Sequence, residues 1–243
     1  MPARTGSQEG LVVALDGPGS SGKSSVGAAA ARELGYRFFD TGLLYRAITW
    51  LALDRKVGSH DADALVDLVE ELELADDDAG HLNRVLSNGR DVTDAVRGPE
   101  VDANVSEISA VAPLRAALLE RQRALAADGR IIMAGRDIGT VVLPAADLKI
   151  YLDASVEERA ARRTRERDLD PNGREAERVL AALRERDRLD TGRAVAPLRA
   201  AADARILTTD GNEFEDTVAM VVGTIRDAEA RAADEAREAA AAQ

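Results

Sequence analysis

The chain has 243 residues, 32 basic and 44 acidic side chains, a formal charge of −12 and no cysteine. That length allows one domain, or one domain carrying a small insert. The missing cysteine excludes a disulfide scaffold, thiolate-bound zinc, an iron–sulfur centre and a thiol nucleophile. Two histidines, His60 and His81, argue against a histidine-rich zinc site or a Ser-His-Asp triad. The acidic balance argues against bulk binding to a nucleic-acid backbone. It leaves room for a small anion, which responds to the local field of a cleft.

Residues 1–9 are polar and aperiodic and read as a flexible tail. Leu11–Leu15 is a short apolar run stopped by Asp16-Gly17-Pro18-Gly19, which predicts a buried strand. Val26–Leu34 reads as a helix ending near Gly35. Tyr36–Phe39 reads as a second strand and Leu43–Leu53 as a second helix. From residue 55 to about 103 the pattern changes to acidic helical sequence (Asp61–Glu73) and short strand-like pieces. Asn88-Gly89 predicts a hairpin turn between Leu82–Leu86 and Asp91–Thr93.

Helical sequence returns over Val105–Ala127. Arg130–Ala134 and Leu148–Leu152 are two further buried-strand candidates. Residues 156–190 mix arginine with acid and are interrupted at Asp170-Pro171-Asn172-Gly173. A short strand at Arg205–Leu207 and a last helix at Val218–Ala230 follow. The Ala/Glu/Arg-rich end either prolongs that helix or frays. Apolar strands separated by helices predict an α/β fold with a parallel sheet covered on both faces. No apolar run approaches the ~18 residues a membrane helix needs, and no signal-peptide pattern opens the chain. A soluble, cytoplasmic protein is expected, with no membrane partner.

The chemistry concentrates after the strands. Gly17-Pro18-Gly19-Ser20-Ser21-Gly22-Lys23-Ser24 matches G-x-x-x-x-G-K-[ST] between a predicted strand and a predicted helix. Glycines let successive N–H groups curl around phosphate oxygens, and the helix N-terminus faces the same charge. Lys23 is placed for the β- and γ-phosphates of a nucleoside triphosphate. Ser24 is placed for Mg²⁺, largely through water and phosphates. No base-reading N-K-x-D stretch of a GTPase is present. Asp40 and Arg46 follow the second strand, and Arg136 and Asp137 follow the third. Those positions lie outside strand carboxyl ends, where open sheets bind ligands. Arg46 suits a bidentate phosphate contact. Asp40 suits orienting the attacking group or the metal's water. The arginine-rich stretch suits a lid that closes over phosphates and excludes water.

Taken together, DGPGSSGKSS, FFDTGLLYRA, NGRDVTDAVRGPEV, MAGRDIGTVVLPAA, LDASVEERAARR and RERDRLDTGRAVAPL resemble the bacterial cytidylate kinases, over about Leu11 to Ile225. The resemblance implies a P-loop nucleoside-monophosphate-kinase fold. Its core would be 10–58 and 104–228, its monophosphate-binding insert 59–103 and its lid 160–185, followed by a tail at 229–243. It implies transfer of the γ-phosphate of ATP, with Mg²⁺, to CMP or dCMP; the alternative is a related small P-loop kinase acting on another nucleoside monophosphate or small metabolite. No feature demands a dimer, so a monomer is expected, and the acidic charge argues against a polynucleotide partner. The ATP contacts would be Gly17, Pro18, Gly19, Ser20, Ser21, Gly22, Lys23, Ser24, Ser25, Arg162 and Arg163. The CMP contacts would be Thr41, Tyr45, Arg46, Ser106, Arg115, Arg136, Asp137, Arg186, Asp190 and Arg193. Lys23, Arg136, Asp137, Arg163 and Asp40 would serve the transfer itself. Ser106 has a local alternative as a helix cap near Val105.

Overall fold

The computed structural model describes residues 10–242; the segment 1–9, read above as a flexible tail, and Gln243 lie outside the described residues. Within these residues eight strands form one sheet: β1 (Val12–Asp16), β2 (Arg37–Asp40), β3 (Leu72–Asp76), β4 (Leu82–Ser87), β5 (Arg90–Asp91), β6 (Ile131–Gly135), β7 (Leu148–Asp153) and β8 (Arg205–Thr208). Eight α-helices accompany them: α1 (Lys23–Leu34), α2 (Gly42–Arg55), α3 (Ala62–Asp67), α4 (Pro99–Ile108), α5 (Ala112–Leu125), α6 (Val156–Glu166), α7 (Arg174–Thr191) and α8 (Phe214–Ala241).

The sheet runs β3-β4-β2-β6-β1-β7-β8, and β5 pairs with β4. From β2 to β8 all pairing is parallel. Side chains alternate between the faces, as the two-residue strand period requires. Val12, Ala14, Phe39, Ile131 and Met133 enter one core with α2, α4 and α5. Val13, Leu15, Phe38, Ile132 and Ala134 enter the other with α1 and α8. This two-sided burial is why the central strands read as near-continuous apolar runs.

Three elements differ from the sequence expectation. Val105–Ala127 is two helices, α4 and α5, because Pro113 in the first turn of α5 favours a fresh helix start after Ser109–Val111. The acidic stretch Asp61–Glu73 is helical only through Glu71, the last turn being a tight 3₁₀ turn; β3 then begins at Leu72 and pairs antiparallel with β4. The last helix starts four residues early and continues to Ala241, beyond Ala228, the last of its buried residues. Asn88 and Gly89 both take positive φ, as the predicted hairpin turn between β4 and β5 requires. The hairpin strands join the main sheet in parallel through one register pair, Phe39 with Leu82.

Asp16 ends β1 and sets the shape of the segment after β6. Its Oδ1 accepts from the Ile138 N–H at 2.8 Å and its Oδ2 from the Gly139 N–H at 2.7 Å. These bonds start a wide helical turn over Ile138–Val142. Burial pushes the Asp16 carboxyl up from 3.8 to about 6, against the two N–H donors that favour its charge.

Leu118 on α5 is fully buried. Leu118→Ala should cost about 2–5 kcal/mol, read as a lower denaturation midpoint at unchanged m-value. Ile206→Ala, at a site 60% exposed, should change stability by less than about 0.5 kcal/mol. For Asp16, the folded state holds a proton that the unfolded state releases between pH 3.8 and about 6. Its stabilising contribution is therefore complete below the lower value and is lost as pH rises through the upper one. The stability difference between wild type and Asp16→Asn should fall by about 2–3 kcal/mol from about pH 4 to about pH 6.5, then level off. A flat difference would contradict this.

Candidate active site

A cleft of about 710 Å³ opens at the carboxyl ends of β1, β2 and β6, between α2, α4 and α7. Its floor is the loop between β1 and α1. Gly22 takes a left-handed backbone (φ 88°) at the start of α1, a conformation glycine enters without steric cost. Lys23 is the first residue of that helix, is buried, and donates from Nζ to the Pro18 carbonyl at 2.9 Å. Burial, and the charge of Arg136, push its ammonium well below its usual pKa. An anion arriving at Nζ reverses that shift by favouring the charged form.

Ser24 Oγ donates to Asp40 Oδ2 at 2.5 Å, while Asp40 Oδ1 accepts from the Gly42 N–H at 2.9 Å and fixes the start of α2. Among the described residues no group of three or more His, Cys, Asp or Glu side chains could hold a metal ion. A hydroxyl and one carboxylate suit an ion that keeps water and phosphate as its other ligands, which is the habit of Mg²⁺. Ser25 Oγ donates to the Gly22 carbonyl at 3.1 Å. Gly19, Ser20 and Gly22 line the cleft beside Lys23, Ser24 and Ser25; Gly17, Pro18 and Ser21 do not line it.

Two arginines cap the floor. A Cβ at Gly19 would stand 3.6 Å from Arg136 Nη2 and 3.7 Å from Arg186 Nε. Arg186 Nε is buried with no hydrogen-bond partner. Among the described residues, no carboxylate lies at ion-pair distance from its guanidinium. Burial, and Arg136 beside it, push Arg186 down to about 10, so it stays charged near neutral pH. Arg136 is held differently, with Nε donating to Asp190 Oδ2 at 3.0 Å.

The far wall is a chain of buried ion pairs. Asp190, on α7, is 1% exposed and accepts from both Arg136 and Arg193, the latter at 2.6 Å. Burial alone would raise its pKa; Arg136, Arg193 and Arg186 outweigh that and hold it below the usual carboxylate range. Arg193 also donates to Ser109 Oγ at 2.8 Å, and its Nε is a second buried donor with no partner. Arg115, on α5, donates to Asp137 Oδ2 at 2.5 Å and lies 5.1 Å over the Tyr45 ring. Burial raises the Tyr45 hydroxyl above its usual pKa. Ser106 is inside α4 and lines the cleft, which removes its reading as an N-cap.

Some expected contacts have structural duties. Thr41 lines the cleft, but its Oγ1 donates to the Ala134 carbonyl at 2.9 Å and ties β2 to β6. Arg162 is not among the cleft residues. It donates to Glu158 at 3.1 Å and to both the hydroxyl and the carbonyl of Thr209, beyond β8. Arg163 and Arg46 do face the cleft, and both donate to Asp102, which sequence reading did not single out. The sequence offers Arg159 only as one arginine of the mixed 156–190 stretch. It is 4% exposed and joins the Gly19 carbonyl, at 3.0 Å, to the Asp187 carboxylate. Its one visible signal is its place in the LDASVEERAARR motif.

Known proteins resemble this chain in sequence. A family model described as cytidylate kinase matches residues 13–227. A cytidylate kinase from Herpetosiphon aurantiacus is 44% identical over 88% of this chain and 93% of its own length. One from Roseiflexus castenholzii is 42% identical over 89% of this chain and 94% of its own length. A bifunctional pantoate ligase/cytidylate kinase from a Synechococcus species is 43% identical over 88% of this chain but only 45% of its own length. The chain thus spans about half the length of the two-activity curated relatives it matches. Because the family match runs from β1 into α8 and takes in every wall of the cleft, the chain belongs to the cytidylate kinase family.

Proposed function

We propose that this chain transfers the γ-phosphate of ATP to CMP or dCMP, giving ADP and CDP or dCDP, with Mg²⁺ accompanying the triphosphate. The observation that carries the reading is Arg186. It is a half-buried cation whose Nε is buried with no hydrogen-bond partner and which has no carboxylate at ion-pair distance among the described residues, seated with Arg136 directly over the phosphate loop. A buried unpaired charge is costly unless an anion completes it. A phosphoryl group passing between two phosphates at that point would supply the anion.

In this mechanism the loop glycines and the N–H groups of Ser20, Ser24 and Ser25 hold the triphosphate, and Lys23 spans its terminal oxygens. Ser24 and Asp40 would hold Mg²⁺, which neutralises phosphate charge when bound. Arg46 orients the acceptor phosphate. Arg136 and Arg186 meet the charge that develops on the transferring group, with Arg163 closing from α6. Phosphate oxygen is already largely deprotonated near neutral pH, so no strong general base is required. Asp137 and Asp190 act through the arginines they hold. The cytosine would sit against Ser106, Arg115 and Tyr45, where a hydroxyl and guanidinium donors can answer the ring's acceptors. The 59–103 segment, which includes the first half of α4, would form the acceptor side with the rest of that helix, and the hairpin α6–α7 the lid of residues 160–185. The charge of −12 favours free nucleotides over a polynucleotide as ligands. No helix among the described residues is long and apolar enough to cross a membrane. We place the activity in the cytoplasm and in the monomer.

A coupled assay with ATP and CMP, dCMP, UMP or AMP tests the reaction. Turnover of CMP and dCMP should exceed that of UMP and AMP; equal use of UMP, or preference for AMP, would overturn the acceptor assignment. Arg186→Ala should lower kcat for CMP by about 10²–10³-fold, the scale for one electrostatic donor to a transition state, with a smaller change in the KM for ATP. An unchanged kcat would remove Arg186 from the transfer step.

A further inference from the structure

Three guanidinium groups close on one carboxylate at the acceptor edge of the cleft. Asp102 Oδ1 accepts from Arg46 Nη2 at 2.5 Å. Asp102 Oδ2 accepts from Arg163 Nη2 and from Arg167 Nη2, both at 3.0 Å. Arg46 stands on α2 and Asp102 on α4; Arg163 stands on α6, and Arg167 directly follows it. The other charged partners of α6 lie within α6 itself or on α7. Arg159 pairs with Asp187, Arg162 and Arg165 with Glu158, Arg163 also with Glu166, and Glu157 with Arg184. Among the described residues, every ion pair between the α6 segment and a helix across the cleft ends on Asp102.

The carboxylate is only 19% exposed, and Arg46 and Arg163 are 20% and 32% exposed. Charges that have lost part of their water interact more strongly than open surface pairs. Burial would raise the pKa of Asp102, but Arg46, Arg163 and Arg186 together lower it, so the group stays ionised near neutral pH. Even with Glu166 at 3.4 Å from Arg163, two carboxylates face three guanidinium groups. The cluster keeps a positive excess where a phosphate is expected. Asp102 thus gathers the cations without neutralising them.

We propose that Asp102 is a positioning residue for phosphoryl transfer: it aims Arg46 at the acceptor phosphate and draws the α6–α7 hairpin across the cleft through Arg163 and Arg167. The turnover consequence rests on the kinase reading; the tie across the cleft does not. Before any nucleotide binds, Asp102 occupies the place of an anion among these arginines. An arriving phosphate then meets groups already converged, so less side-chain ordering is left for the moment of binding.

The test compares wild type with Asp102→Asn, Asp102→Glu and Arg167→Gln. Arg167→Gln removes one strand of the tie without touching Arg46 or Arg163. Amide hydrogen exchange is measured without nucleotides and at low salt, alongside steady-state kinetics with ATP and CMP. Asp102→Asn and Arg167→Gln should each speed exchange in α6 by about tenfold, the scale of one charge-assisted hydrogen bond. Exchange in β1 and β6 should stay unchanged, which reports an intact core. Asp102→Asn should raise the KM for CMP by about tenfold, with a smaller change in the KM for ATP, and Asp102→Glu should recover most of that loss. Wild-type exchange rates in α6 of both Asp102→Asn and Arg167→Gln would overturn the tie. Equal effects on the two KM values, or no recovery by Asp102→Glu, would overturn the positioning role. Should Asp102→Asn fail to fold, Arg167→Gln alone decides the tie by the same exchange comparison. Failure of wild type to use CMP would instead strike the kinase reading, and the exchange result would still stand.

Discussion

Cations crowded into a partly dry space are the constraint around which the molecule is arranged. Along the cleft walls, lysine and arginine outnumber aspartate and glutamate, although the chain as a whole is strongly acidic. Such a cluster persists only if carboxylates are threaded through it at fixed points. Asp190 holds Arg136 and Arg193, Asp137 holds Arg115, and Asp102 holds Arg46, Arg163 and Arg167. Each carboxylate sits on, or just after, a rigid element, so each guanidinium inherits a direction. The remaining positive charge is left for a ligand to complete.

The parallel sheet makes this possible by placing the ends of β1, β2 and β6 side by side. Asp16 adds a connection at right angles to the strands. By binding two N–H groups after β6, it couples the segment that carries Arg136 and Asp137 to the strand that feeds the phosphate loop. The two anion-binding segments therefore share a buried hydrogen-bonded link.

Much of the fold was legible because its signals are local. Near-continuous apolar runs marked β1, β6 and β7, and Asn88-Gly89 marked the hairpin. The phosphate loop could be read from eight consecutive residues and their flanks. Other features were not legible because they depend on distant partners. Arg136 and Asp190 are 54 residues apart, and Asp102 and Arg167 are 65 apart. Nothing in a run of alternating arginine and acid says which arginine is neutralised by its own helix and which faces a cleft. Arg162 and Arg163 are adjacent in sequence, yet the first binds Thr209 and the second Asp102, because a helix turns consecutive side chains to different sides. The length of α3 and the start of β3 were obscured for a related reason: an acidic stretch with leucines fits either element until β4 is there to pair with it.

The junction between β2 and β4 carries a mechanical meaning. The sheet is continuous by hydrogen bonding, but among the described residues Phe39 with Leu82 is the only register pair that joins β4 to its parallel part. β1, by contrast, is paired along its whole length to β6. A sheet built this way is stiff at its centre and compliant at one seam, so bending strain would gather at that seam and spare the strands that carry the phosphate loop.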